Sequence, residues 1–199
     1  MNVLILNASP KAKGTVSRQL QAIADELQAG GHSVTNLDIR SLHIAPCTGC
    51  MHCRTANKCL MDEDDAERVL DSLRKAQALV VGTPCYWGNL PGPLKTLLDR
   101  LTYGLIRTPQ SPYRLPAGRL DGRCALVFVA STAPWPFHLL PRQARGTALA
   151  LRHILRSAGI RPVRLLYRPG TSRSEAGPDE LQRRARRACA FLAPRHRQG

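Results

Sequence analysis

Residues 46–59 read PCTGCMHCRTANKC and set Cys47, Cys50, Cys53 and Cys59 at a spacing of C-x2-C-x2-C-x5-C. Thiolates at such short intervals are soft ligands that suit zinc or an iron–sulfur cluster. Structural zinc usually separates two C-x2-C pairs by a longer span, so zinc is the weaker of the two metal readings. A loop sequence does not show that four sulfurs converge. A 4Fe–4S cluster, zinc and no metal therefore all stay open.

Three other segments carry polar, flexible or aromatic residues in usable combinations. NASPKAKGTVS, residues 7–17, joins the hydroxyls of Ser9, Thr15 and Ser17 to the charges of Lys11 and Lys13, with Gly14 before a helix. Free N–H groups at a helix start beside such residues form an anion site, most naturally for phosphate. It is neither a Walker loop nor a G-x-G-x-x-G turn. Tyr86-Trp87-Gly88-Asn89-Leu90-Pro91 sets two aromatics beside a Gly-Asn turn, a pairing that suits a flat heteroaromatic ligand. Ser131-Thr132-Ala133-Pro134-Trp135 adds hydroxyls and a third aromatic. Together the three describe a mononucleotide site.

The elements that must position these loops alternate along the chain. Short apolar runs at Val3–Leu6, Ala78–Gly82, Cys124–Ala130 and Val163–Tyr167 read as strands, with a weaker one at 33–39. Helices between them show one apolar face each, as in Val16, Leu20, Ile23 and Leu27, or Leu94, Leu97, Leu98 and Leu101. The acidic run Asp62–Asp65 suits the positive end of a helix. Five β–α units imply a doubly wound α/β parallel sheet with helices on both faces, and ligands at the carboxyl ends of the strands. All 199 residues are expected in a single domain. Within it lie a cysteine-rich loop at 46–62, a long surface loop at 105–122, and a basic C-terminal helix and tail at 178–199. The cysteine segment is expected on the same rim as the three loops.

Composition bounds the function. A hydrophobic fraction of 43% and a charged fraction of 22% describe an ordinary globular chain. No apolar stretch reaches the roughly 20 residues that span a bilayer, so no membrane partner is expected. The opening MNVLIL carries no leader pattern, which points to the cytoplasm. Seven cysteines, an odd number, fit a reducing compartment better than a disulfide framework. The net charge of +15 raises a nucleic-acid partner, yet no binding motif accompanies it and aromatics are only 5%. A solvated arginine face is the simpler reading, and no nucleic acid is expected.

Three motifs carry a resemblance to a known family, over most of the chain. ASPKAKGTVS resembles a G-S-P-[RK] phosphate loop. TPCYWGNLPGPLKTLLDR is similar to P-x-Y-[WF]-G-x-x-x-G-x-L-K-x-x-x-D-R. The cysteine segment is followed by Asp64-Asp65. The chain thus resembles the NAD(P)H-dependent FMN reductases of the flavodoxin-like superfamily, and its cysteine spacing resembles the subgroup of iron–sulfur flavoproteins.

That resemblance implies a five-stranded sheet of order 2-1-3-4-5 and bound FMN, with NAD(P)H as co-substrate. It implies that Ser9, Lys11 and Ser17 hold the FMN phosphate, with Thr15 and Val16 close by. Pro84, Tyr86, Trp87, Gly88, Asn89 and Leu90 would border the isoalloxazine, and Ser131, Thr132 and Trp135 would form a third wall. Cys47, Cys50, Cys53 and Cys59 would hold a cluster if one is present. Hydride would pass from NAD(P)H to FMN, and electrons onward to a quinone, a flavin or an iron–sulfur cluster. The alternative is an electron-transfer flavoprotein without nicotinamide turnover. The family usually assembles as homodimers or homotetramers, with the 105–122 loop a candidate contact. Ala8 departs from the usual glycine, and the third loop lacks a Gly pair. Hydride transfer needs no general acid or base, so no catalytic side chain is nominated. Asp99 and Arg100 read as a helix-surface ion pair or packing residues, and His138, His153 and Cys85 as structural.

Overall fold

The computed structural model describes residues 1–61, 64–107, 109, 113, 115–173 and 175–193. The first half of the chain forms β1 (Asn2–Asn7), α1 (Thr15–Ala29), β2 (Ser33–Asp38), α2 (His52–Ala56), α3 (Ala66–Lys75) and β3 (Ala78–Pro84). Next come α4 (Gly92–Arg100), α5 (Thr102–Leu105), β4 (Ile106–Arg107) and β5 (Ala117–Gly118). The chain closes with β6 (Cys124–Ala130), α6 (Ala144–Ser157), β7 (Val163–Arg168) and α7 (Pro178–Leu192).

Five strands pair in parallel in the order β2-β1-β3-β6-β7, the expected 2-1-3-4-5 once the two-residue hairpin β4–β5 is set aside. Successive side chains of a strand point to opposite faces, so each strand feeds two cores. Leu4, Leu6, Leu79 and Val127 join α3, α4 and α6 on one face. Val3, Ile5, Val80 and Leu126 join α1 and α7 on the other. The central strands β3 and β6 are buried almost throughout, which their unbroken apolar runs require.

Two local expectations are revised. β2 ends at Asp38, whose carboxylate accepts from the Arg40 backbone N–H and starts a 3-10 turn over Ile39–Ser41. Segment 105–122 is not wholly a surface loop. It holds the β4–β5 hairpin, and Leu120 is 1% exposed because apolar residues are interspersed among its Pro, Gly and Arg. Gly118 packs so closely that an added Cβ would lie 2.3 Å from the Gly159 nitrogen. Residues 108, 110–112 and 114 of that segment fall outside the described residues, as do Asp62, Glu63 and the tail 194–199.

Candidate functional site

The phosphate-type loop, the aromatic turn and the Ser131–Trp135 loop leave the carboxyl ends of β1, β3 and β6, which are neighbours in the sheet. Two backbone hydrogen bonds stitch them together: Ala8 donates to Gly82 O at 2.8 Å, and Cys85 to Ala130 O at 2.8 Å. The three loops thus share one edge of the sheet.

In the first loop the serines shape the backbone. Ser9 Oγ donates to Lys11 O at 2.9 Å and Ser17 Oγ to the same carbonyl at 2.8 Å, while Asn7 Nδ2 donates to Ser17 Oγ at 3.0 Å. Ser9 and Ser17 are buried, as is Val16. Other groups beside them remain open to an anion. Gly14, the capping residue of α1, has no side chain, and the first turn carries no acid. The opening N–H groups of a helix have no partner within it. With the exposed Lys11 and Lys13 and the half-buried Thr15, they form a positively biased cradle. Beside it a cavity of about 440 Å³ is lined by Asn7, Lys13, Ser17, Arg18, Asn36 and Asp38 among others.

The second loop is a tight hairpin turn. Tyr86 N donates to Asn89 O at 3.1 Å and Asn89 N to Tyr86 O at 2.8 Å. Trp87 and Gly88 between them both have positive φ, 53° and 73°. A Trp in that region is uncommon, and the pair of positive angles is what a primed two-residue turn demands. Trp87 is fully exposed, Tyr86 and Asn89 are exposed, and Leu90 is buried beneath them beside half-buried Pro84. In the third loop Ser131 is buried and its Oγ accepts from Ala133 N at 3.1 Å, leaving Thr132 and Trp135 exposed. Tyr86, Trp87 and Trp135 therefore stand open on one rim as flat apolar surface.

Sequence reasoning missed the residues that back these loops. Segment 168–171 supports the third wall: Ser131 N donates to Arg168 O, Thr171 N to Ser131 O and Gly170 N to Ala133 O. The start of α6 braces the aromatic turn. Thr147 Oγ1 donates to Asn89 O at 3.0 Å, and a Cβ on Gly88 would lie 2.5 Å from Arg142 O. Gly146 inside a helical pattern was the one available signal, since a Cβ there would lie 2.5 Å from Gly88 O. His138, 5% exposed, packs edge-on against Tyr167. Cys85 is half-buried against the core, as expected.

The cysteine segment leaves β2 at the rim but is anchored elsewhere. Arg100, 2% exposed, ends α4, so by helix rise it stands about 12 Å from Gly92, where α4 begins beside the aromatic turn. Its Nη1 donates to Ala45 O at 2.8 Å and to Asp64 Oδ2, and its Nη2 to Met61 O. Asp64 in turn accepts from Ala45 N and Ala66 N, each at 3.0 Å. One buried ion pair thus closes both ends of the loop, with side-chain exposures of 1% and 7%. Of the two readings for Asp99 and Arg100, Asp99 takes the helix-surface ion pair, with Lys95, while Arg100 turns inward to Asp64. Burial alone would raise the Asp64 carboxyl, but the N–H donors of Ala66 and Ala45, with Arg100, hold it below the usual carboxylate range.

Cys47 and Cys50 are exposed, and Cys53 and Cys59 are half-buried against the core. Burial first, then repulsion from Cys59, Cys47 and Cys50, pushes the Cys53 thiol up, so the four lie within electrostatic reach of one another. Among the described residues, however, no three His, Cys, Asp or Glu side chains converge as a ligand set for a metal ion. Among the same residues no helix is long and apolar enough to cross a membrane.

Comparison with known proteins places this geometry in context. A family model described as the flavodoxin-like fold matches residues 1–192. An iron–sulfur flavoprotein of Archaeoglobus fulgidus is 35% identical over 100 residues, covering 50% of this chain and 48% of that one. The chain therefore matches about half the length of that relative. An FMN-dependent NADH:quinone oxidoreductase of Stenotrophomonas maltophilia is 28% identical over 127 residues, covering 64% of this chain and 65% of that one. The solved structure of an FMN-dependent NADH-azoreductase of Bacillus anthracis, in complex with FMN, superposes with a TM-score of 0.73 at 16% identity. It covers 98% of this chain and 99% of that one.

Proposed function

This chain belongs to the family with the flavodoxin-like fold, and we propose that within it the protein is an FMN-dependent NAD(P)H oxidoreductase. The observation that carries the reading is the stitching of three loops at adjacent strand ends, through Ala8 to Gly82 and Cys85 to Ala130. It joins an uncapped, acid-free helix start to a turn with two positive φ angles and an aromatic rim. Relatives named for FMN, NADH and quinone support the same assignment.

The residues present fit the group. The N–H groups that open α1, with Lys11, Lys13 and Thr15, would hold the phosphate, while Ser9 and Ser17 keep the loop in shape. The backbone of 84–90 would border the ring, with Ser131, Thr132 and Trp135 opposite. When bound, FMN supplies a hydride acceptor for NAD(P)H and an electron donor for a second substrate such as a quinone. The chain's own tasks are to bind, orient and exclude water. Tyr86, Trp87 and Trp135 give a flat apolar platform against which planar substrates stack. No proton has to be taken by a side chain in hydride transfer, so none is assigned a catalytic role. The open rim is the face on which copies would pair as homodimers or homotetramers.

Cys47, Cys50, Cys53 and Cys59 are the soft donors that a 4Fe–4S cluster would take, although among the described residues no ligand set for a metal ion forms. No step is assigned to the cluster. The test is anaerobic mixing of flavin-loaded protein with NADH or NADPH, followed by a quinone. Bleaching of the yellow flavin and its return on quinone addition is the expected result. Flavin that binds but does not bleach would leave an electron-transfer flavoprotein without nicotinamide turnover.

A further inference from the structure

From Gly122 to Ser174 the chain holds nine arginines and neither Asp nor Glu over 53 residues. This stretch contains β6, α6 and β7, and β7 is an edge strand with one neighbour. Arg145, Arg152 and Arg156 recur at i, i+7 and i+11, which sets them on one stripe of α6. The stripe runs on the β7 side: burial pushes the Tyr167 phenol up, and Arg152 and Arg145 are near enough to oppose it. Arg152, His153, Arg156 and Arg161 line a groove of about 510 Å³ on this flank.

Elsewhere several arginines and lysines of helices are neutralised locally. Arg74 pairs with Glu67 and Asp71, Lys95 with Asp99, and Arg184 with Glu180. Arg145, Arg152, Arg156 and Arg161 form no ion pair among the described residues. Uncompensated like charges along one groove repel one another, and a counter-charge from outside relieves that repulsion. The stripe also begins at the candidate site, because α6 opens against the aromatic turn through Thr147 and Gly146.

We infer that this flank of α6 and β7 is a docking surface for an acidic protein that accepts electrons from the rim. The electron-acceptor part rests on the oxidoreductase reading above; the docking part rests on charge and place alone. The groove lining offers no Phe, Tyr or Trp for base stacking, which argues against single-stranded nucleic acid. Leu149 is its one aliphatic member, too little apolar surface to enter a membrane interface. In the transfer, one NAD(P)H gives up a hydride, equal to two electrons and a proton. Two one-electron carriers are reduced for each nicotinamide oxidised, and the proton of the hydride goes to solvent.

The probe is oxidised cytochrome b5, an acidic haem carrier, with basic cytochrome c as its counterpart, both added to the flavin-loaded full chain. Calorimetric binding of cytochrome b5 that weakens steeply with salt, and no binding of cytochrome c, is expected. R152E/R156E should weaken it by about tenfold or more. R156E/R161E, built only from exposed residues, should do the same. Flavin content and NAD(P)H-driven reduction of a neutral quinone should stay as in the parent. Equal affinity of parent and both variants would overturn the inference, as would tighter binding of duplex DNA than of cytochrome b5 at equal salt. Charge-dependent docking with a flavin that NAD(P)H fails to bleach would sustain the surface and sink the nicotinamide reading instead.

Discussion

Gly88 has two reasons to be glycine, and they can be separated. Its φ of 73° lies in the left-handed region, and a Cβ would stand 2.5 Å from Arg142 O, a backbone atom that has no rotamer to escape into. Gly88→Ala is therefore expected to cost at least the roughly 1–3 kcal/mol of a strained left-handed residue. The loss should appear in thermal unfolding of the flavin-free protein, and FMN affinity should fall with it. Gly92→Ala is the control, since nothing lies within 4 Å of a Cβ there and its φ is not positive. If Gly88→Ala melts with the parent, the turn does not need the geometry described. Its neighbour Trp87 carries the complementary burden: a bulky residue in the same left-handed region, fully exposed, with no packing that repays the conformation. Strain without burial is a pattern found where a side chain is held out for a ligand.

Among the elements, α4 has the broadest reach, because it starts at the aromatic turn and ends in the clasp on the cysteine loop. Arg100→Met would leave the Asp64 carboxylate buried without its cation, a change that typically destabilises by about 3–5 kcal/mol. Denaturant unfolding measures it, and hydrogen exchange over 45–61 should rise first. The same pair predicts a pH response. The Asp64 carboxyl is held below its unfolded value, so its contribution is fully present above about pH 4 and is lost as pH falls through the lower folded value. Exchange over 45–61 should therefore accelerate below about pH 4 in the parent and show no such step in Asp64→Asn; a step in both would assign it to another carboxylate. The five strands and main helices could be read from sequence because each shows its period over several residues. The clasp could not: Ala45, Met61 and Arg100 are far apart in the chain, and Arg100 sits beside Asp99 as an ordinary surface pair would. The aromatic turn was legible as residue types, Tyr, Trp, Gly and Asn, whereas its brace from α6 depends on a tertiary contact that no local pattern encodes. The serines of the first loop were legible as polar, but their turn toward Lys11 O depends on the folded backbone.

At the scale of the whole molecule, two surfaces should answer salt in opposite senses. The rim exposes Trp87, Trp135, Phe137 and Leu140, an apolar set that association would bury. Each copy also carries a formal charge of +15, so copies repel. Raising ionic strength shortens the reach of that repulsion to about 8 Å at physiological salt, while apolar burial is not screened. Pairing of copies through the rim is thus expected to strengthen as salt rises, and docking of an acidic partner on α6 to weaken. Sedimentation velocity across a salt series measures the first. Trp135→Asp should hold the protein monomeric throughout, because it sets a charge into the apolar set, whereas R152E/R156E should leave association intact or increase it by lowering the net charge. Monomers at every salt concentration would show that copies do not pair through the rim. Oligomers that dissociate as salt rises would mean that copies meet through charge, and the arginine flank would then be the first place to look for their contact.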